Sequence, residues 1–186
     1  MAPSVWLARH GETEWSRDGR HTSTTDLPLT DAGVAAAGGL GEELDGRAFA
    51  LVLTSPRLRA RHTAELAGYP GAVVDDDLVE WGYGELEGVT TATIRETVPG
   101  WTVWTHPAPG GETAAEVGAR VDRVIARARA ADGDTLLFGH SHCLRALAAR
   151  WLGQPVADGR LFRLDTATVS VLGYERETPV LSRWNA

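Results

Sequence analysis

No lysine occurs among the 186 residues, and all 18 cationic side chains are arginine. Together with the richness in alanine and glycine, this reads as a coding bias, so only arginines at telling positions carry functional information. Cysteine occurs once, as Cys143, which excludes an internal disulfide and fits a reducing compartment. No apolar run approaches the ~20 residues that a membrane helix needs. No charged leader or small-residue cleavage site precedes the early apolar run Ser4-Val5-Trp6-Leu7-Ala8. A cytoplasmic location without membrane association is the expectation. Net positive charge is also missing: the formal balance is −7. That argues against a general nucleic-acid binder, which displaces counterions with a basic face.

What is present suits a buried core, since 43% of the residues are hydrophobic, and the length suits one domain over 1–186. Residues 4–8, 50–54 and 135–138 are short apolar runs with turn-type flanks, each suited to a buried parallel strand. Helical patterns lie between them at 31–45, 57–68 and 113–131, with another from Ser141 to about 152. Alternation of this kind predicts an α/β fold, a mostly parallel sheet layered between helices. Ser55-Pro56 reads as an N-cap followed by proline at the first helical position, and Thr113 with Glu116 as a capping box. Residues 168–174 and 180–184 alternate enough for two late strands near a sheet edge, and the Ala/Gly stretch 32–41 reads as a closely packed helix.

Open α/β sheets bind ligands where the carboxyl ends of strands meet helix N-termini. Three strand ends here carry cationic or titratable groups: Arg9-His10-Gly11 after the first, Ser55-Pro56-Arg57 after the second, and His140-Ser141-His142 after the third. Converging on one crevice, they supply the guanidiniums, imidazoles and free N–H groups that a phosphoryl group requires. Neighbouring arginines lower the proton affinity of His10 and His140 by repulsion, leaving a neutral and nucleophilic imidazole. His10 is the better placed for attack, and Gly11 beside it lets backbone approach a bound oxyanion.

Arg9-His10-Gly11-Glu12-Thr13-Glu14-Trp15 resembles the signature of the histidine phosphatase superfamily, which includes cofactor-dependent phosphoglycerate mutases. Five further blocks resemble that family in its own order: Thr25 to Thr30, Ser55 to Ala60, Glu80 to Gly88, Gly110 to Thr113, and Gly139-His140. The resemblance implies a phosphoglycerate mutase-like fold and, by position, roles for particular residues. His10 takes the phosphoryl group, Arg9, Arg57 and His140 bind it, Glu80 protonates the leaving oxygen, and water then releases phosphate. Partial burial of Glu80 beside Trp81 and Tyr83 is the environment such a general acid calls for. No cofactor or metal is implied, and the partner is a small phosphorylated metabolite; a homodimer is compatible with the reading.

Departures from the pattern point to the substrate side. Ser16 stands where the family often has asparagine, a shorter donor to phosphate. Gly-His-Ser-His-Cys-Leu-Arg replaces the more usual Gly-His-Gly-Gly, which sets Ser141, His142 and Arg145 near the substrate, the last two on one helical face. This variant is similar to a branch that holds acid phosphatases and sugar-bisphosphate phosphatases. Thr22, Ser23 and Tyr83 are further substrate contacts by position, and Trp81, Trp101 and Trp104 are candidates to wall the pocket. His21, His62 and His106 read as structural histidines, although Thr22 and Ser23, beside His21, resemble the family's substrate loop. Arg59 and Arg61 read as solvated, because a helix carrying Arg57 inward turns Arg59 about 200° away. Arg120, Arg123, Arg127 and Arg129 read as an exposed helix face, and Asp75-Asp76-Asp77 as a polar turn. The competing functions are a mutase, a non-catalytic phospholigand-binding protein, and a metallohydrolase using His140 and His142. The short stretch between Glu85 and Gly110 favours hydrolysis over the mutase, and the arginines make a cation unwelcome.

Overall fold

A computed structural model describes residues 3–106 and 108–186. Six strands form one sheet in the order β3-β2-β4-β1-β5-β6: β1 (Val5–Arg9), β2 (Leu51–Thr54), β3 (Val73–Val74), β4 (Thr135–Gly139), β5 (Val169–Glu175) and β6 (Thr178–Arg183). The first four in chain order run parallel, β5 returns antiparallel beside β1, and β6 forms the antiparallel edge. β4 is buried at every position, as a central strand covered on both faces must be, and its apolar Leu-Leu-Phe run is the sequence trace of that.

Successive strand residues feed opposite layers. Leu7 and Leu137 join one core with Val117, Val121 and Val124 of α5 (Ala114–Ala130) and Leu144, Leu147 and Trp151 of α6 (Ser141–Trp151). Ala8, Leu136 and Phe138 join the other with Leu40 and Leu44 of α2 (Asp31–Leu44) and Ala64 of α3 (Leu58–Leu66). The expected α/β sandwich is thus observed, each of the buried Val, Leu and Phe side chains contributing about 1.5–3 kcal/mol by leaving water. A short α1 (Glu14–Arg17) follows the first strand, and α4 (Thr91–Thr97), absent from the sequence expectations, begins on a Thr90 cap. No helix among the described residues is long and apolar enough to cross a membrane.

Of two expectations about helix ends, one is observed and one is corrected. Thr113 and Glu116 do close a capping box at the start of α5, but Ser55 caps nothing. Helix α3 begins at Leu58 with Arg57 as its N-cap in extended geometry (φ −70°, ψ 137°). The exposed-face reading of α5 fails at Arg120, which is 6% exposed and forks onto Glu112. Arg123 and Arg127 do lie at the surface, paired with Asp75 and Asp77, so the acidic run is a turn held by arginines. Asp75 also caps the 3-10 turn Asp76–Leu78.

Candidate active site

Register places the two central histidines. β1 and β4 are paired so that Arg9 stands opposite Gly139, and the next residue of each strand is a histidine. His10 N–H donates to Gly139 O at 3.0 Å, and the two imidazole rings meet edge to face with centroids 5.1 Å apart. His10 is 5% exposed and lines a crevice of about 240 Å³; Arg9, Ser16, Thr22, Glu80, Tyr83, Ser141 and His142, each singled out in the sequence, line it with His10, while Arg57, Ser23, His140 and Arg145 do not. Gly19, Arg20, His21 and Thr91 complete the wall.

His10 Nδ1 lies 2.7 Å from its neighbour's carbonyl, Gly11 O. A carbonyl only accepts, so Nδ1 carries the proton and Nε2 holds the lone pair. Burial, then the charges of Arg59 and Arg9, hold this imidazole well below its ordinary proton affinity. The ring is therefore neutral and nucleophilic around pH 7. Gly11 serves packing rather than the oxyanion. Its N–H donates to Thr63 Oγ1 at 3.0 Å, and a Cβ there would stand 2.5 Å from Gly33 O, so only glycine admits the first turn of α2 this close.

Arg59 is the arginine that the sequence reading missed. It is fully buried, and its charge, not that of Arg57, weighs on His10 and His140. Because Arg57 precedes the helix in extended conformation, a helical rotation counted from it does not apply. Arg57 is half-buried and outside the residues that line the crevice, with its Nε buried and unpartnered; Arg9 Nε is likewise buried and unpartnered.

His140 has no solvent exposure. Its Nδ1 accepts from Arg59 Nε at 3.2 Å, which makes Nε2 the protonated nitrogen, donating to Ser55 Oγ at 2.8 Å. Burial and the adjacent cations keep it neutral. With both nitrogens engaged inside the protein, His140 is no partner for His142 in a metal site. Among the described residues no cluster of three His, Cys, Asp or Glu side chains has metal-holding geometry.

Glu80 is 5% exposed and bridges two elements. Oε1 accepts from Trp81 N–H and Cys143 N–H, both at 2.8 Å, and Oε2 from His142 N–H at 3.0 Å. The carboxyl thus seats on the open N–H groups of the first turn of α6. Main-chain donors hold it in place. Trp81 is buried and turns its indole N–H to Glu112 O, so it walls no pocket. Beneath, Arg120 ties Glu112 to the sulfur of Cys143, whose thiol burial pushes up to about 11.

The substrate-side residues divide. His142 meets Tyr83 Oη through Nδ1 at 2.6 Å. Burial holds that phenol protonated and the imidazole neutral, so the phenol donates and Nε2–H remains as the ring's free donor. Thr22 lines the crevice while its hydroxyl donates to Arg20 O, and the Ser16 hydroxyl is likewise engaged, donating to Thr13 O within the cap of α1. Ser23 departs from expectation. It is 4% exposed, and its hydroxyl donates to Glu87 Oε2 at 2.5 Å instead of facing the crevice. His21, taken from sequence as structural, stands in the wall, 4.6 Å from the Tyr83 ring and 3.2 Å from Thr91 Oγ1. Its neighbours Thr22 and Ser23 were the signal that placed it in doubt. His62 and His106 lie outside the lining of the crevice.

A neutral imidazole whose proton affinity is held down by burial and the charges of Arg59 and Arg9, sharing one crevice with Arg9 and the carboxyl of Glu80, is equipped to displace a group at phosphorus. Among known proteins, the chain is 43% identical over 176 residues to an acid phosphatase of Mycobacterium tuberculosis, covering 91% of this chain and 85% of that one. It is 36% identical over 186 residues to the sedoheptulose 1,7-bisphosphatase of Saccharomyces cerevisiae, covering 82% and 69%. A solved structure of an open reading frame product from Mycobacterium tuberculosis superposes with a TM-score of 0.95 at 40% identity, over 100% of this chain and 98% of the other. The description of the histidine phosphatase superfamily (branch 1) matches residues 5–186, and the chain belongs to that family.

Proposed function

We propose that the chain is a phosphoric monoester hydrolase that works on small phosphorylated metabolites through a phosphohistidine on His10. The observation that carries this reading is the bond from His10 Nδ1 to Gly11 O, which fixes the tautomer with Nε2 unprotonated beside Arg9 and Arg59. Phosphatase activity is also what the names of both curated relatives describe.

In the first step His10 Nε2 attacks phosphorus, the bond from phosphorus to the ester oxygen breaks, and Glu80 gives that oxygen its proton. Arg9 holds equatorial oxygens in the crevice, with the buried charge of Arg59 behind the site, as negative charge spreads over them. His140 offers the Nε2–H that now rests on Ser55. In the second step water attacks phosphorus, Glu80 takes its proton, and the phosphorus–nitrogen bond breaks. Inorganic phosphate leaves, and His10 regains its lone pair. Because the two steps share one carboxyl, Glu80 returns to its starting state after each turnover.

The test is phosphate release from a panel of phosphorylated sugars, glycerates and nucleotides, with rapid acid-free quenching to trap labelled enzyme. Phosphate release and an acid-labile, alkali-stable label, both lost in His10→Ala, are expected. Full activity in His10→Ala would overturn the reading, as would isomerisation of 3-phosphoglycerate without phosphate release.

A further inference from the structure

The crevice continues past the reacting centre. His21, Thr91 and His142 line the lobe that holds His10 and also a second lobe of about 300 Å³, whose far wall carries Arg95, Arg145 and Arg160. Trp104 forms part of that lobe and meets the His142 ring at 5.1 Å.

Arg145 is set in place by the fold. Its Nε donates to Gly159 O at 3.1 Å, its Nη2 to Arg160 O at 3.3 Å, and its guanidinium carbon sits 4.9 Å from the Trp104 ring centroid. Gly159 is required for this seat, since a Cβ there would stand 2.6 Å from the Trp104 ring. One edge of the guanidinium is thus anchored and stacked, and Nη1 is left over. Among the described residues neither Arg145 nor Arg95 has a carboxylate within 4.0 Å, and Arg160 has only its near neighbour Asp158, at 2.6 Å. No carboxylate lines this lobe. In a chain of formal charge −7, a concave surface with two guanidiniums free of carboxylates, and a third paired only with Asp158, runs against the mean.

We infer that this second lobe binds an anionic group carried by the substrate at a distance from the phosphate under attack. The preferred substrates are then small molecules with two anionic ends, bisphosphates or phosphocarboxylates, rather than simple monoesters. The inference rests on the assignment of His10 as the reacting centre. Guanidinium forks accept both phosphate and carboxylate, and the indole of Trp104 gives the carbon chain between the two ends an apolar wall.

The experiment compares kcat/KM within pairs that differ in the second charge: fructose 1,6-bisphosphate against fructose 6-phosphate, and 3-phosphoglycerate against glycerol 3-phosphate, with p-nitrophenyl phosphate as the substrate that lacks it. A preference of about tenfold or more for the doubly charged member of at least one pair is expected, beyond the factor of two that two equivalent phosphates would give. Whichever pair responds identifies the second group as phosphate or carboxylate. Arg145→Gln should shrink that ratio at least about fivefold, mainly through KM, and Arg145→Lys should restore part of it. Arg160→Gln, at an exposed position, should shrink it in the same direction. Wild-type enzyme that turns over p-nitrophenyl phosphate yet treats both pairs alike would overturn the second-anion lobe alone. Activity that survives His10→Ala would overturn the assignment of the reacting centre, and this inference with it.

Discussion

Arg59 Nε donates to His140 Nδ1 at 3.2 Å with neither residue reaching solvent. The same guanidinium reaches three carbonyls of the loop that borders the crevice: Thr25 O at 3.0 Å, Thr22 O at 3.2 Å and Ser23 O at 3.3 Å. One side chain therefore fixes a catalytic tautomer and a substrate loop together. Arg59→Met strands these acceptors in the interior and is expected to cost about 3–5 kcal/mol of stability, with kcat/KM down by about 100-fold or more. Arg59→Lys keeps the charge without the fork and should recover stability better than rate. Arg57→Met should cost under about 1 kcal/mol, because its guanidinium supports no comparable network. Urea unfolding and p-nitrophenyl phosphate kinetics on the three variants check the ranking; an Arg57 variant that harmed both more than the Arg59 variant would reverse the assignment.

The central strands were legible because β1, β2 and β4 are buried on both faces and so write continuous apolar runs, and the residues after β1 and β4 announced themselves as histidines at strand ends. Arg59 was not legible for a physical reason. Reading its direction requires knowing where α3 starts, and Ser55-Pro56 imitates a helix start that the chain does not use, since Ser55 is taken by His140. Gly11 misled similarly: a glycine beside a reactive histidine suits an oxyanion, but the demand came from the Gly33 carbonyl, 22 positions along the chain and invisible without the fold. Ser23 and Arg120 share that cause. Each is a buried polar residue whose partner, Glu87 or Glu112, lies on another segment.

Glu80 is held by three main-chain N–H groups, so its position should survive loss of acidity. Glu80→Gln keeps the shape but cannot deliver a proton as a carboxyl does. Substrates with poor leaving groups should suffer most: about 100- to 1,000-fold in kcat for an alkyl phosphate such as glycerol 3-phosphate, and under about tenfold for p-nitrophenyl phosphate, whose phenolate leaves unaided. Equal losses on both substrates would assign Glu80 to positioning rather than proton transfer.

The imidazoles set the response to pH. His10, His140 and His142 are all held well below the ordinary value of 6.5 in the folded protein, chiefly by burial and then by neighbouring arginines. Between those lowered values and 6.5 the unfolded chain binds more protons than the folded one, so stability falls as pH drops through this window and is complete above it. Melting temperature should be flat from pH 8 to 7 and decline progressively from 6.5 to 5. The nucleophile, by contrast, stays neutral across the same window, so the acid limb of kcat/KM belongs below pH 6.5. Thermal scans and a pH–rate profile test both signs; an acid limb above 6.5, or a melting temperature that rises on acidification, contradicts them.

Glu87 gathers the loop from its other side. Its carboxylate accepts from Ser23 N–H at 2.9 Å, Ser23 Oγ–H at 2.5 Å and Thr25 N–H at 3.0 Å, and these bonds hold it below the usual carboxylate range. Thr22, next in the chain, lines the crevice. Glu87→Gln removes the charge and mismatches the donors, so about 1–3 kcal/mol of stability should go, with KM raised more than kcat is lowered. The informative comparison is with Ser23→Ala. If Ser23 acts through Glu87, as its burial indicates, the two changes address one bond and the double variant should lose about as much as the worse single one. If Ser23 touched substrate directly, its loss would add in full to that of Glu87→Gln. A double-mutant cycle on KM separates these outcomes, and additivity within about 0.3 kcal/mol would return Ser23 to the substrate surface.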